Sequence, residues 1–178
     1  MGKIVSGFFI SLDGVVEAPD KWHFPYFDDA MGAAVGESLE TNEAFLMGRV
    51  LHDEWSEYWP KNPDADFGPF INNIPKYVVS NTIKESAWNN TQVISDDVAT
   101  QIRELKERTP GNIGMSGSAT TVRWLIANGL LDELHLLVHP IAVGQGQRLF
   151  EDTPTHPLKL LSSETFDTGV LNLKFAPA

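Results

Sequence analysis

Apolar residues along the chain alternate between two spacings, one of strands and one of helices. Lys3 to Ile10 is a run rich in Val, Ile and Phe that stops at Ser11-Leu-Asp-Gly14, which predicts a buried strand and a turn. Val15 to Phe27 has no period, holds Pro19 and Pro25, and reads as irregular. Asp28 to Asn42 places Met31, Val35 and Leu39 at helical spacing, with Asp28 and Asp29 suited to a first turn. Ala44 to Gly48 predicts a second buried strand, and Arg49 to Tyr58 a helix; Pro60 to Asn73, with three prolines, reads as a loop. Lys76 to Ser80 and Thr91 to Ser95 predict strands. Ser95 is then expected to cap a helix with Asp96 and Asp97 in its first turn, Val98, Ile102 and Leu105 on one face, and Pro110-Gly111 as its stop. A strand at Ile113, a helix burying Val122, Leu125 and Ile126 and ending at Gly129, and a strand over Leu131 to His139 follow. Pro140 to Gln147 reads as a loop, and Leu158 to Phe166 with Val170 to Phe175 as a hairpin turned by Asp167-Thr-Gly169.

Strands alternate with helices up to residue 139, after which only strands follow. The predicted class is therefore α/β, a mostly parallel central sheet flanked by helices with an antiparallel C-terminal hairpin. At 178 residues, without repeat or linker, a single domain over 1–178 is expected. The chain has no Cys, which removes disulfides, thiolate nucleophiles and Cys-based zinc sites, and fits a reducing, cytoplasmic setting. Its net charge of −11 argues against a general nucleic-acid or anionic-membrane surface, and no apolar run is long enough to span a bilayer. An anionic ligand would have to be held by local donors working against that field.

Two turns offer such donors. Met115-Ser-Gly-Ser118 joins a strand to a helix, with Gly117 lacking a side chain and Ser118, Thr120 and Thr121 adding hydroxyls. Met47-Gly48-Arg49 does the same, with Arg49 as a forked phosphate donor. Either turn alone also serves plain helix–sheet packing. Together, at the ends of two strands, they suit one extended cofactor. Neither Gly-x-Gly-x-x-Gly between strand and helix nor a Walker A sequence occurs.

The ordered set Ser11-Leu-Asp-Gly14, Phe45-Leu-Met-Gly-Arg49, Lys76-Tyr-Val-Val-Ser80, Ser116-Gly-Ser-Ala119, Gly129-Leu-Leu-Asp-Glu-Leu134 and Pro140-Ile-Ala-Val-Gly-Gln-Gly-Gln-Arg-Leu-Phe150 resembles the dihydrofolate-reductase-like superfamily. Within it, the chain most resembles the reductase domain of the bifunctional riboflavin-biosynthesis deaminase/reductase. That resemblance implies a homodimeric NADPH-dependent oxidoreductase that passes hydride to a pterin-like or ribosylamino-pyrimidine substrate. It implies that Gly48 and Arg49 meet a cofactor phosphate and that Ser80, Asn81 and Thr82 surround the adenosine ribose. Gly117, Ser118, Ala119 and Thr120 would hold the pyrophosphate, while Phe9 and the backbone at Val16 border the nicotinamide. The chain departs from the family at Ser118, where many relatives have a second Gly, and at Leu51, where a hydroxyl residue is common. The zinc deaminase half is absent. A dihydrofolate reductase proper and a non-catalytic dimeric binding protein are the rival readings.

Two acids are candidates for catalysis. Asp28 shares helical register with Met31, Val35 and Leu39 and could protonate a heterocycle, or offset the helix dipole. Asp13 could serve the same chemistry, or only form the turn before Gly14. Trp22, His23, Phe24, Tyr26 and Phe27 could stack on a flat substrate or cover a core edge. His135 and His139 fall on one strand face; lacking a third ligand they make no metal site and read as core or interface residues. The apolar hairpin, with Leu160, Leu171 and Leu173, could supply a dimer face.

Overall fold

A computed structural model describes residues 1–178 and shows one mixed eight-stranded sheet covered on both faces. The strands are β1 (Ile4–Ser11), β2 (Asn42–Gly48), β3 (Lys76–Val79), β4 (Thr91–Ile94), β5 (Asn112–Met115), β6 (Glu133–His139), β7 (Leu158–Thr165) and β8 (Leu171–Pro177). The helices are α1 (Asp29–Glu40), α2 (Arg49–Tyr58), α3 (Gly68–Asn73), α4 (Val98–Arg108) and α5 (Ala119–Ala127). Strand order is β4-β3-β2-β5-β1-β6-β8-β7. The first six strands are mutually parallel, and β8 runs antiparallel to both β6 and β7. The class expected from the alternation is the class observed.

The pleat of β2 shows how the layers divide. Ala44 and Leu46 point into a core with Ile102 and Leu105 of α4 and Val122, Leu125 and Ile126 of α5. Phe45 and Met47 point the other way, onto Ile71 of α3, Val78 and Trp88, with Leu51 and Trp55 of α2 packed alongside. A strand covered on both sides reads as a continuous apolar run, as β2 does. A third cluster joins Met31 of α1 to Phe166 and Val170, against Phe9 and Leu137.

Two local readings change. The segment expected as a loop from Pro60 holds α3, because Pro69 sits in the first turn, where a missing N–H costs nothing. Lys76 explains how so short a helix is held. Its fully buried ammonium donates to the carbonyls of Ile71 (2.8 Å) and Ile74 (2.9 Å) and lies 4.6 Å from the centre of the Trp88 ring. Burial pushes its pKa down to about 8. Helix α4 begins at Val98 rather than at Ser95. Asp97 occupies the cap position with φ +41° and no side-chain bond, a left-handed conformation that Asp tolerates. Asp96 and Asp97 therefore precede the helix instead of lying in its first turn.

Asp132, from one of the ordered motifs, proves to be structural. Its carboxylate accepts from the Ile4 N–H at 2.7 Å and pairs with Lys106 at 2.6 Å, tying the start of β1 to α4.

Candidate active site

β2 and β5 are neighbours, so α2 and α5 start side by side at the carboxyl edge of the sheet. The two turns meet. A Cβ built on Gly48 would lie 2.6 Å from Thr121 Oγ1 and 3.3 Å from Ser118 Oγ. Gly48 is buried, and as the cap of α2 it supplies no side-chain acceptor to the first N–H groups. Ser118 caps α5, accepting from the Thr121 N–H at 3.4 Å and sharing a hydrogen bond with its hydroxyl at 3.0 Å. Gly117 has φ +109°, a conformation that favours Gly, and the Gly117–Ser118 peptide is cis. Neither helix carries an acidic residue in its first turn, although the chain carries 24. Two such helix starts form one edge free of acidic side chains and suited to a diphosphate.

The remaining expected cofactor contacts differ in what they offer. Arg49 is exposed and pairs with Asp53 at 2.7 Å, so its fork is already half engaged. Ala119 is buried and Thr120 exposed at the start of α5. Ser80 is buried, and its hydroxyl accepts from the Thr82 (3.1 Å) and Ile83 (3.3 Å) N–H groups, so it builds its own turn while Asn81 and Thr82 stand exposed on it. Leu51 is packed in the core cluster under α2. The Val16 N–H donates to Gln147 at 2.9 Å, and Phe9 stacks on His23 with ring centres 4.5 Å apart.

A cavity of about 480 Å³ lies between the C-terminal half of α1 and the sheet. Phe9, Leu137, Val35 and Leu39 are among its apolar walls, and Met115 and Ser116 extend it to the residue before Gly117. Met31 props the N-terminal half of α1 on Phe9, Phe166 and Val170, while Val35 and Leu39 meet the cavity instead of a core. The ionisable groups on the walls are Glu37, Glu133, His135 and Lys174. Glu133 accepts from Lys3 at 2.9 Å and pairs with His135 Nε2 at 2.9 Å. Burial raises the Glu133 pKa, and the hydrogen bonds from His135 and Lys3 more than offset it, leaving the carboxyl below its usual range. Burial lowers the His135 pKa despite the Glu133 bond that raises it, so a carboxylate faces a neutral imidazole.

Neither acid singled out from sequence lines this cavity. Asp28 is the cap residue of α1, with extended backbone, and accepts from the Met31 N–H at 2.8 Å. Helical register does not extend to a residue outside the helix, so the inward face expected for it does not exist. Asp13 accepts from Ser11 Oγ (2.6 Å) and from the N–H groups of Val143 (3.0 Å) and Gly144 (2.8 Å). These bonds, the one from Ser11 foremost, lower its pKa to about 2 and keep it ionised. It staples the loop after β1 to the loop after β6. Arg148, isolated in sequence, donates to the Asp13 carbonyl at 3.0 Å, and Arg123 lies 3.8 Å from Glu151.

Part of the aromatic segment covers a core edge, while Phe24 and Phe27 are exposed. Trp22, His23 and Tyr26 surround His139, which is fully buried as expected, while His135 stands on the cavity wall instead of in a core or interface. Glu133 has no assignment from sequence, although alternate positions on a strand put it on the face already noted for His135 and His139. Lys174 and Glu37 had no sequence signal, because the cross-strand register and the stand-off of α1 bring them in. No group of three or more His, Asp or Glu side chains is placed to hold a metal ion.

Comparison with known proteins settles the lineage. The family model for the RibD C-terminal domain matches residues 2–172. The chain belongs to the RibD C-terminal domain family. Among curated relatives, the uncharacterized protein YyaP of Bacillus subtilis (strain 168) is 30% identical over 179 residues, covering 97% of this chain and 94% of that protein. A protein of Shewanella sp. PV-4 superposes with TM-score 0.77 at 19% identity, covering 99% of each chain. A pyrimidine reductase-like protein of Corynebacterium diphtheriae gives 0.69 at 14% identity, covering 99% of this chain and 92% of that one. The Thermotoga maritima diaminohydroxyphosphoribosylaminopyrimidine deaminase / 5-amino-6-(5-phosphoribosylamino)uracil reductase gives 0.71 at 16% identity, covering 99% of this chain and 57% of that one. These structures share the fold of this RibD C-terminal domain.

Proposed function

We propose that this RibD C-terminal domain protein is an NADPH-dependent reductase that passes hydride to a flat nitrogen heterocycle held under α1. The observation that carries the reading is the meeting of Gly48 with Ser118 and Thr121. Two helix starts free of acidic side chains converge there beside a cavity of ligand size. The family and the reductase names of its structural relatives support it.

When bound, NADPH supplies the hydride. The chain's own residues bind, orient and exclude water. The N-termini of α2 and α5 hold the pyrophosphate. Arg49, swinging from Asp53, reaches the 2′-phosphate, and the turn at Ser80 to Thr82 borders the adenosine. Phe9 and the Val16 backbone border the nicotinamide, with the aromatic segment 22–27 closing that end against solvent. The walls at Phe9, Leu137 and Val35 would sandwich a flat substrate ring. Asp13 keeps the covering loop in place by its three hydrogen bonds; it acts by position and stays ionised.

Titration with NADPH tests the reading, followed by loss of NADPH absorbance on adding a dihydropterin or an aminopyrimidine. Saturable micromolar binding and substrate-dependent oxidation are expected. Binding without oxidation of any heterocycle would favour the non-catalytic reading, and no binding would defeat the reductase reading. Arg49→Ala should weaken NADPH roughly ten- to a hundredfold, the worth of a charge-assisted hydrogen bond, and NADH much less. Equal losses for the two cofactors would refute a 2′-phosphate role.

A further inference from the structure

Of the 13 Lys and Arg residues in the chain, only Lys174 lines the cavity under α1. It sits 3.9 Å from Glu37. The other cation in reach, Lys3, is bound to Glu133 at 2.9 Å. Both ammonium groups are thus already paired with the two carboxylates of the wall, and His135 is neutral. Arg49, Arg123 and Arg148 are engaged elsewhere by Asp53, Glu151 and Asp13. On the α1 side the backbone adds nothing for an anion. The part of α1 that meets the cavity runs from Ala34 to Leu39 with Thr41 at its C-cap, and that is the negative end of the helix dipole. What remains on the polar side is uncharged: Ser38, Asn112, Ser116 and Asn172.

We infer that the cavity takes an uncharged polar heterocycle or nucleoside and rejects the phosphorylated form. A phosphate entering it would stand beside two carboxylates, Glu37 and Glu133, with Lys174 the one cation on the walls to offset them. The inference rests on the reductase reading for the reaction but not for the preference, which belongs to the cavity walls. It separates this chain's substrate from the compound in the Thermotoga protein's name, 5-amino-6-(5-phosphoribosylamino)uracil. The same molecule without its phosphate brings no anionic charge to these walls.

The test is equilibrium binding of matched pairs to the full chain, with and without NADPH: 5-amino-6-(ribosylamino)uracil against its 5′-phosphate, and uridine against its monophosphate. The expected result is at least tenfold tighter binding of the unphosphorylated member. Glu37→Gln, at an exposed position, frees Lys174 and should narrow the gap by improving binding of the phosphorylated member. Equal or tighter binding of the phosphates by the unaltered protein would overturn the inference, as would no binding of any unphosphorylated member at millimolar concentration. Failure of NADPH itself to bind would instead count against the reductase reading, while the preference would still be read in the cofactor-free titrations.

Discussion

At Gly48 a single hydrogen decides the geometry of the edge where α2 and α5 begin. A methyl group there would press on Thr121 Oγ1 at 2.6 Å, and Thr121 is itself held by Ser118. Gly48→Ala should therefore weaken NADPH at least tenfold, and Thr121→Ala in the same chain should restore part of the loss. Unchanged NADPH affinity in Gly48→Ala would show that the close approach does not matter. Asp28 marks the opposite case. Its bond to the Met31 N–H makes it a helix cap, so Asp28→Ala should cost about 1 kcal/mol of stability and leave kcat within about twofold. Denaturant unfolding checks the first part; a collapse of kcat at unchanged stability would return Asp28 to the chemistry. Residue roles of this kind were only half readable in sequence. The Gly-Ser and Gly-Arg turns were visible because they depend on local steric freedom. Asp28 was misplaced because helical periodicity was carried one residue past the helix start. Glu133 and Lys174 were invisible as site residues, since only the pairing of β1, β6 and β8 brings them to one wall.

At the scale of elements, the segment from Val15 to Phe27 is built to stay over β1 and β6. His23, in that segment, and His139, at the end of β6, have ring centres 6.1 Å apart, each with one buried ring nitrogen lacking a partner. Burial lowers both pKa values, and the two rings would repel if charged. The unfolded chain then takes up protons at its ordinary imidazole pKa while the folded protein does not. Stability is complete above that range and falls as pH drops below about 6.5 toward the lowered folded values. Asp13 adds to the same trend further down, its contribution being lost as pH falls from its ordinary 3.8 toward 2. Unfolding midpoints measured from pH 8 to 5 should decline, and His139→Phe should flatten the decline; a midpoint independent of pH would contradict this account. Elements with a strong period were read correctly, β2 and α2 among them. Helix α3 was not, because prolines in a short segment look like a loop unless the tertiary partner is known, and that partner is the buried ammonium of Lys76.

At the scale of the whole molecule, a charge of −11 is spread over a fold whose cofactor edge carries no acid in either helix start. No helix is long and apolar enough to cross a membrane. The homodimer implied by the resemblance has a candidate face in Leu160, Leu161 and Leu171, which stay exposed on the antiparallel hairpin. Light scattering should then give twice 19.7 kDa, and a mass of 19.7 kDa at high concentration would remove the dimer. The overall class was readable from the alternation of strands and helices alone. The substrate cavity was not, because it exists only where α1 stands off the sheet.

The central claim is that Gly48, Arg49 and the Gly117-Ser118 turn form one dinucleotide site. Calorimetric titration of NADPH into the unaltered protein and into Gly48→Ala tests it most directly. The account predicts one site per chain with micromolar affinity, weakened at least tenfold by the added methyl group. No heat of binding at millimolar NADPH, or the same affinity in both proteins, would contradict it.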